Sequence, residues 1–250
     1  MSDGDHSIGY DADEYVRVKA QSWRLWIELW SIVDAIRSTG ICLDGARVGD
    51  FGSGTGLYTR KLIDMGAGSV LAIDGDREMI RRAREDSAVY NSVITYDPSR
   101  IQDTVGDQEC VLAIGSYLMN YARTAEEALA YAVAISGHLA KGGIFIGLGN
   151  NPFERTGGDQ YLVYGFTKSH EADQAGDREG SWVEWHIQGL SDPIRNFNLI
   201  PQTYEWAFQE AGMQFTWQDV QLHPAHKGNA FWNCFFDEVA PVTMMMAVRG

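Results

Sequence analysis

The sequence predicts an α/β protein in which a mostly parallel sheet is covered by helices on both faces. Two observations support this prediction. Short apolar runs alternate with helix-like runs between residues 41 and 150, which is typical of repeated βα units. Glycines end several of the helix-like runs, as at Gly40 and Gly66. Ligands of such sheets bind at the carboxyl ends of the strands, so functional residues are expected in the loops that follow them.

The elements follow in chain order. Apolar residues at three- and four-residue spacing predict one N-terminal helix from about Tyr15 to Gly40; they are Trp23, Trp26, Ile27, Trp30, Val33 and Ile36. Thr124 and Glu127 form a T-x-x-E capping box that starts another helix. The predicted strands are 46–51, 69–74, 92–96, 110–115 and 144–149, and the predicted helices between them are 57–65, 77–88 and 124–139, with a turn at 141–143.

The pattern changes after residue 150. Residues 159–167 and 181–189 have the composition of two strands on either side of a charged tip, which predicts a β-hairpin inserted over the sheet. A helix at 201–211 and strands at 215–222 and 242–248 complete a sheet of seven strands.

Composition excludes several classes of protein. The 250 residues are 45% hydrophobic, enough for one substantial core, and the net charge of -14 disfavours a nucleic-acid partner. Three widely spaced cysteines, Cys42, Cys110 and Cys234, fit neither a disulfide framework nor a metal site and favour a reducing, cytoplasmic location. The acidic N-terminus is unlike a signal peptide, and no apolar run reaches the roughly 18 residues of a membrane span.

The stretch VGDFGSGTG, residues 48–56, lies between a predicted strand and a predicted helix. Glycines there let the backbone approach a ligand closely and adopt positive φ. Asp74 ends the next strand, where an acidic side chain suits the hydroxyls of a ribose. Leu57 stands where a dinucleotide fingerprint needs its third glycine, and no G-K-[ST] follows, so the loop fits a nucleoside cofactor that lacks phosphate.

VGDFGSGTG followed by VLAIDGDREMI resembles motifs I and II of class I S-adenosylmethionine-dependent methyltransferases. The resemblance implies the Rossmann-like class I methyltransferase fold with S-adenosyl-L-methionine as cofactor. It covers nearly the whole chain, which we divide into an N-terminal helical cap (1–40), a cofactor-binding core (41–150), a lid insert (151–200) and a C-terminal helix with strands (201–250), all in a single domain over residues 1–250.

By this resemblance, the glycine loop lies under the methionine part of the cofactor, Asp74 holds the ribose, and Met79 and Asp97 lie near the adenine. The loop after the fourth strand lies beside the reacting methyl group. The cofactor-binding residues expected on this basis are Tyr15, Arg24, Asp50, Gly52, Ser53, Gly54, Gly56, Asp74, Gly75, Met79, Asp97, Pro98, Ser116 and Tyr117.

A narrower resemblance links the chain to small-molecule methyltransferases of the toxoflavin-biosynthesis type. It depends on an N-terminal Y-x-x-x-K helix with WR (Tyr15, Lys19, Trp23, Arg24), on YLMNYA, and on the insert before PQTYEWAFQEAG. Related enzymes that act on glycine-like amines hold the cofactor carboxylate with an N-terminal tyrosine and an arginine, which implies that role for Tyr15 and Arg24.

Methyl transfer needs a base only where the acceptor must lose a proton before it attacks. The candidates are Tyr121, Glu184, His186, His223 and His226, although a lone histidine is more often structural. No His, Cys and carboxylate cluster has metal-ligand spacing, so no metal is expected. NNPF, residues 150–153, resembles the motif of nucleic-acid amino-methyltransferases but follows the fifth strand instead of the fourth, so we interpret it as the turn into the lid.

The sequence therefore predicts methyl transfer to a nitrogen or oxygen of a small molecule, in secondary metabolism, with no nucleic-acid or membrane partner. A homodimer is compatible with it. Three alternatives stay open: a protein or RNA methyltransferase, a fold-retaining S-adenosylmethionine-binding protein such as a repurposed cyclase or a regulator, and a nicotinamide oxidoreductase.

Overall fold

The structure is a computed structural model that describes residues 11–19, 21–154, 157–171, 179–237 and 239–250. Its main sheet contains seven strands: β1 (Arg47–Phe51), β2 (Ser69–Ile73), β3 (Ile94–Asp97), β4 (Cys110–Ser116), β5 (Leu139–Asn150), β9 (Met213–Gln218) and β10 (Val242–Arg249). They lie in the order β3-β2-β1-β4-β5-β10-β9, and β10 is antiparallel to both of its neighbours. The predicted mostly parallel seven-stranded sheet is confirmed.

Helices cover the two faces of this sheet. They are α3 (Leu57–Asp64), α4 (Arg77–Asp86), α5 (Ala125–His138) and α6 (Pro201–Glu210), and a short α7 (Asn233–Phe236) lies in the connection from β9 to β10. Thr124 caps α5 as predicted, because its side chain accepts a hydrogen bond from the Glu127 backbone N–H. Buried residues form two apolar clusters, one for each face of the sheet.

The N-terminal segment differs from the single predicted helix. It contains α1 (Ala12–Lys19), then a π-helical segment (Arg24–Leu29) that continues into α2 (Trp30–Ser38). Local apolar spacing cannot distinguish these arrangements, because both place Trp23 and Ile27 in the core, where each is fully buried. The turn predicted at 141–143 is likewise absorbed into β5, where a register shift against β4 accommodates it.

The lid insert forms a second, antiparallel sheet with three strands: β6 (Phe166–His170), β7 (Ser181–Ile187) and β8 (Ile194–Asn198). The predicted hairpin is therefore present, with β8 added along β7. Strand β8 was not predicted, because its buried positions include two asparagines, Asn196 and Asn198, a residue type that is depleted in strands. Residues 159–164 form a 3₁₀ turn where we expected strand, and most of the charged tip lies outside the described residues.

Buried contacts hold the lid against the rest of the molecule. The Lys168 ammonium group of the lid donates to the carbonyl oxygen of Pro241, outside the lid, at 2.8 Å, and it lies 2.8 Å from the carboxylate of Glu154 within the lid insert. Both charged side chains are almost fully buried. Trp23 packs on Phe166 and Trp185 of the lid, with ring centroids 4.6 and 6.0 Å apart. The lid is thereby packed against the N-terminal cap and the residue that precedes β10.

Candidate functional site

The glycine loop joins the end of β1 to the start of α3. Gly52, Gly54 and Gly56 all have positive φ, at 71°, 52° and 77°, so this path of the backbone requires glycine. The backbone N–H groups of Gly52 and Ser53 both donate to the carbonyl oxygen of Ile73, at 2.8 and 3.0 Å. These bonds fix the loop against the end of β2, beside Asp74.

Asp74 presents a carboxylate beside this loop. One oxygen accepts the Gly54 N–H at 2.7 Å and the other accepts the Asp76 N–H at 2.8 Å. Burial raises the pKa of the carboxyl. The two hydrogen bonds lower the pKa by less, so the resulting pKa is about 6. Each oxygen has a second lone pair, so the carboxylate can also accept hydrogen bonds from two ligand hydroxyls.

A cavity of about 380 Å³ opens between the glycine loop, the end of β2 and the loop after β4. Its lining comes from several strand ends, as expected for a parallel sheet. The lining residues are Tyr15, Gly52, Gly54, Ile73, Asp74, Gly75, Asp76, Arg100, Ile101, Gln102, Ser116, Tyr117, Leu118, Tyr121, Arg123, Glu127 and Tyr131. We call this the main cavity.

A much smaller cavity, of about 20 Å³, lies under the lid and shares Tyr15, Tyr117 and Tyr121 with the main cavity. The rest of its lining is Arg24 from the N-terminal cap and Trp185, Ile187, Ile194 and Asn196 from the lid. This volume suits about one water-sized group. We call it the lid cavity.

Hydrogen bonds between amides hold the lid side of this cavity. Asn150, at the end of β5, donates its side-chain N–H to Asn196 Oδ1 at 2.7 Å and accepts from Trp185 Nε1 at 2.9 Å. The Asn150 backbone N–H donates to Asn120 Oδ1 at 3.0 Å. Satisfied buried polar groups of this kind fix their side chains in one arrangement. Asn150 therefore ties the lid to the loop after β4.

The structure brings together eight of the expected cofactor residues in one cavity system: Tyr15, Arg24, Gly52, Gly54, Asp74, Gly75, Ser116 and Tyr117. The others lie behind or beside it. Asp50 is buried and accepts a hydrogen bond from the Thr59 hydroxyl at 2.6 Å, and Met79 lies on the buried face of α4. Ser53 and Gly56 support the loop and the start of α3 without lining the cavity, and Asp97 and Pro98 lie at the end of β3 outside the lining.

Tyr121 is the catalytic candidate that lines both cavities. Glu184 and His186 alternate along β7 with the buried Val183, Trp185 and Ile187, so they face away from the site. Glu184 pairs there with Arg195 at 2.6 Å and with His186 at 2.9 Å. His223 packs on the rings of Trp26 and Trp30, and His226 also packs on Trp26. None of these four lines either cavity.

Sequence reasoning missed several lining residues. Arg100 and Gln102 follow β3, and Arg123, Glu127 and Tyr131 come from the start of α5. Their position after strands β3 and β4 is the available signal, since loops at that edge carry ligand contacts. Trp185 and Asn196 became lining residues only through the fold of the lid.

Among the described residues, no group of three or more His, Cys, Asp or Glu side chains could hold a metal ion. Within the same part of the chain, no helix has the length and apolar character needed to cross a bilayer.

Comparisons with known proteins agree with this geometry. Residues 48–143 match the family described as a methyltransferase domain, and no curated protein matches the chain significantly. A S-adenosylmethionine-dependent methyltransferase from Clostridium acetobutylicum superposes with a TM-score of 0.65 at 14% identity, over 95% of this chain and 98% of that one. One from Mesorhizobium loti gives 0.63 at 18% identity, over 93% of this chain and 100% of that chain.

A third structure is S-adenosylmethionine-bound CalS10 of Micromonospora echinaspora, described as an aminopentose methyltransferase involved in calicheamicin biosynthesis. Its TM-score is 0.59 at 16% identity, over 95% of this chain and 96% of that one. At such identities the likeness shows the fold, and the S-adenosylmethionine named for all three agrees with the cofactor predicted from the sequence. Residues 48–143 therefore match a methyltransferase domain, and the chain as a whole has the Rossmann-like fold of these S-adenosylmethionine-dependent methyltransferases.

Proposed function

We propose that this protein is a methyltransferase that transfers the methyl group of S-adenosylmethionine to a nitrogen or oxygen atom of a small molecule. The observation that carries the proposal is the layout of the two cavities. A carboxylate, Asp74, lies at one end beside the glycine loop, and the guanidinium of Arg24 lies beyond the shared residues Tyr15 and Tyr117. A nucleoside with an amino-acid tail offers hydroxyl groups at one end and a carboxylate at the other, which is complementary to this arrangement.

One unsatisfied group in the lid cavity supports the same ligand. Arg24 is 4% exposed, and its Nε has no hydrogen-bond partner among the described residues. A buried polar group without a partner costs about 1–3 kcal/mol, so a ligand that supplies an acceptor gains that amount. In this proposal Arg24 holds the cofactor carboxylate, and the family resemblance adds Tyr15 at the same carboxylate and Asp74 at the ribose.

The remaining cofactor roles follow from the family resemblance. Gly52 and Gly54 leave room for the methionine part, and Gly75 borders the adenine end of the main cavity. Met79, Asp97 and Pro98 are assigned to the adenine surroundings, and Asp50, Ser53 and Gly56 to support of the loop. The division of the chain into cap, core, lid insert and C-terminal part belongs to the same proposal.

When bound, the cofactor supplies a methyl group on a positively charged sulfur, which is already activated for displacement. The protein's part is then mainly to position the two reactants in line. Tyr117 and Tyr121 lie where the two cavities meet, so they would orient the acceptor and the methyl group toward each other. In this proposal the lid sheet keeps water from the point where the two cavities meet, and Tyr121, which lines both, would hydrogen-bond the attacking atom.

The lid cavity supports a small acceptor. Its volume of about 20 Å³ admits one small group of the acceptor under the lid, and the net charge of -14 disfavours a nucleic-acid acceptor. A role in secondary metabolism draws on the description of CalS10, and the toxoflavin-type resemblance draws on sequence motifs alone. Cytoplasmic location and a homodimer remain predictions.

The experiment is turnover combined with binding. The purified protein is titrated with S-adenosylmethionine by calorimetry and then assayed for S-adenosylhomocysteine formation with a panel of small amines, alcohols and phenols. We expect binding, together with formation of S-adenosylhomocysteine that depends on an added acceptor. Absence of S-adenosylmethionine binding would contradict the proposal, and binding without turnover across the panel would favour a cofactor-binding protein of the same fold.

A further inference from the structure

Glu28 places a completely buried carboxylate between the N-terminal cap and the loop after β4. Its side chain is 0% exposed and lies on the π-helical segment that also carries Arg24. One oxygen lies 3.3 Å from Arg24 Nη1, and the other accepts the hydroxyl hydrogen of Tyr117. A buried carboxylate is costly unless it is paired and hydrogen-bonded, so both partners are needed to keep it there.

The two partners of Glu28 are residues of the cavities. Arg24 lines the lid cavity, and Tyr117 lines both cavities. Glu28 engages Arg24 through Nη1 and leaves the Arg24 Nε–H without a partner in the described part of the chain. The guanidinium is therefore held on one side by the protein and has a donor left for a ligand.

Tyr117 has a backbone conformation that needs support. Its φ is 61°, in the left-handed region that side chains other than glycine rarely adopt. Such conformations persist only where surrounding contacts impose them, and they concentrate at functional sites. Burial, and next the negative charge of Glu28, raise the pKa of the Tyr117 hydroxyl well above its usual value, so it stays protonated and donates to Glu28. π-Helical turns are also frequent at functional sites.

We propose that Glu28 is a positioning residue for the amino-acid end of the cofactor. One carboxylate oxygen orients Arg24 so that its remaining N–H meets the ligand's carboxylate, and the other fixes Tyr117 where the two cavities meet. The inference rests on the proposed function, because it assumes a cofactor with an amino-acid tail. It adds a residue that lies outside the glycine loop and the strand ends, 22 positions before Asp50.

The test compares two ligands that differ at the amino-acid end. S-adenosylhomocysteine carries that end and 5′-methylthioadenosine lacks it, so their affinities separate an effect on Arg24 from a general loss of structure. Calorimetry measures both for the wild type, Glu28→Leu and Glu28→Gln. Glu85→Gln, an exposed glutamate on α4 that pairs with Arg81, is the matched control.

For Glu28→Leu we expect S-adenosylhomocysteine to bind about tenfold or more weakly, the size of one lost charge-assisted hydrogen bond, with 5′-methylthioadenosine within about twofold of wild type. Glutamine has the same reach; its oxygen can accept from Arg24 and its N–H₂ can donate to the Tyr117 oxygen. Glu28→Gln should therefore bind both ligands within about threefold of wild type, and Glu85→Gln should match the wild type.

Tyr117→Phe tests the other contact of Glu28. It should also weaken S-adenosylhomocysteine selectively, and its effect should not add to that of Glu28→Leu, because both remove the same hydrogen bond. If Glu28→Leu fails to fold, as its circular dichroism spectrum would reveal, Glu28→Asp replaces it. Aspartate keeps the charge but is one methylene too short, so the same selective loss is expected.

Equal loss of both ligands in a folded Glu28 variant, or equal loss of S-adenosylhomocysteine in the Gln and Leu variants, would overturn the positioning role. Unchanged discrimination between the two ligands in Glu28→Leu would also overturn it and leave the proposed function intact. A wild-type protein that binds neither ligand would instead contradict the proposed function itself.

Discussion

Replacing Asp74 should weaken cofactor binding in a way that depends on pH. Its carboxylate accepts two backbone N–H groups, from Gly54 and Asp76, and has lone pairs left for two hydroxyls of the ribose. A hydrogen bond to a charged group contributes about 1.5–3 kcal/mol. Asp74→Ala should therefore lower the affinity for S-adenosylhomocysteine by about 10- to 150-fold.

The pH dependence follows from the raised pKa of Asp74, about 6. Burial disfavours the charged form, so Asp74 lowers the free energy of unfolding at pH values above its pKa in the folded protein. This destabilisation disappears below 3.8, the ordinary pKa that the carboxyl has in the unfolded chain. Ribose hydroxyls favour the charged form, so the affinity of the wild type should rise as pH increases through about 6. Asp74→Asn, which cannot ionise, should lose that rise.

The assay is calorimetry with S-adenosylhomocysteine at about one pH unit below and above the Asp74 pKa, where the carboxyl is mostly protonated and mostly ionised. Asp64→Asn, an exposed aspartate at the end of α3, is the matched control and should follow the wild type. Two results would refute the reasoning: Asp74→Ala binding within about twofold of wild type, or a pH dependence that persists in Asp74→Asn.

Three further predictions concern the loop, the lid and the outer residues. Gly54→Val should abolish S-adenosylhomocysteine binding in a folded protein, because φ at this position is 52° and an added Cβ would contact the Tyr15 ring at 3.6 Å. Circular dichroism checks the fold, and normal binding would contradict the role of the loop. Lys168→Met should reduce the free energy of unfolding by about 3–5 kcal/mol in a denaturant titration, because it leaves the buried Glu154 carboxylate without its ammonium partner. A reduction of less than about 1 kcal/mol would argue against that buried pair. Glu184→Gln and His223→Gln should each keep kcat within about twofold of wild type once an acceptor is known, because neither side chain lines the main cavity or the lid cavity. A decrease in kcat of more than about tenfold would indicate that the residue takes part in the reaction.

Much of the main cavity could be predicted from local sequence. Gly52 and Gly54 are recognisable because positive φ restricts the residue type, and Asp74 because it ends an apolar strand. Both signals lie within a short stretch of chain and depend on backbone geometry more than on distant contacts. The order of strands and helices follows for the same reason, since βα repeats constrain the sheet.

The acceptor side could not be predicted in this way. The sequence suggested Glu184 and His186 as candidates by their chemistry, but strand pairing in the lid places them on its outer face and places Trp185 on the inner one. The third lid strand, β8, could not be predicted because Asn196 and Asn198 are buried only through their contacts with other segments. Polar residues inside a core give no periodic signal.

The sequence by itself determined the class of fold, the glycine loop and the strand-end acid, because each depends on residues close together in the chain. Only the tertiary structure decided which side chains meet where the main cavity adjoins the lid cavity. Glu28 and Tyr117 lie 89 positions apart, and the hydrogen bond between them exists because the N-terminal cap packs over the loop after β4. A contact of that kind depends on how whole elements pack, so the spacing of residues within one element cannot predict it.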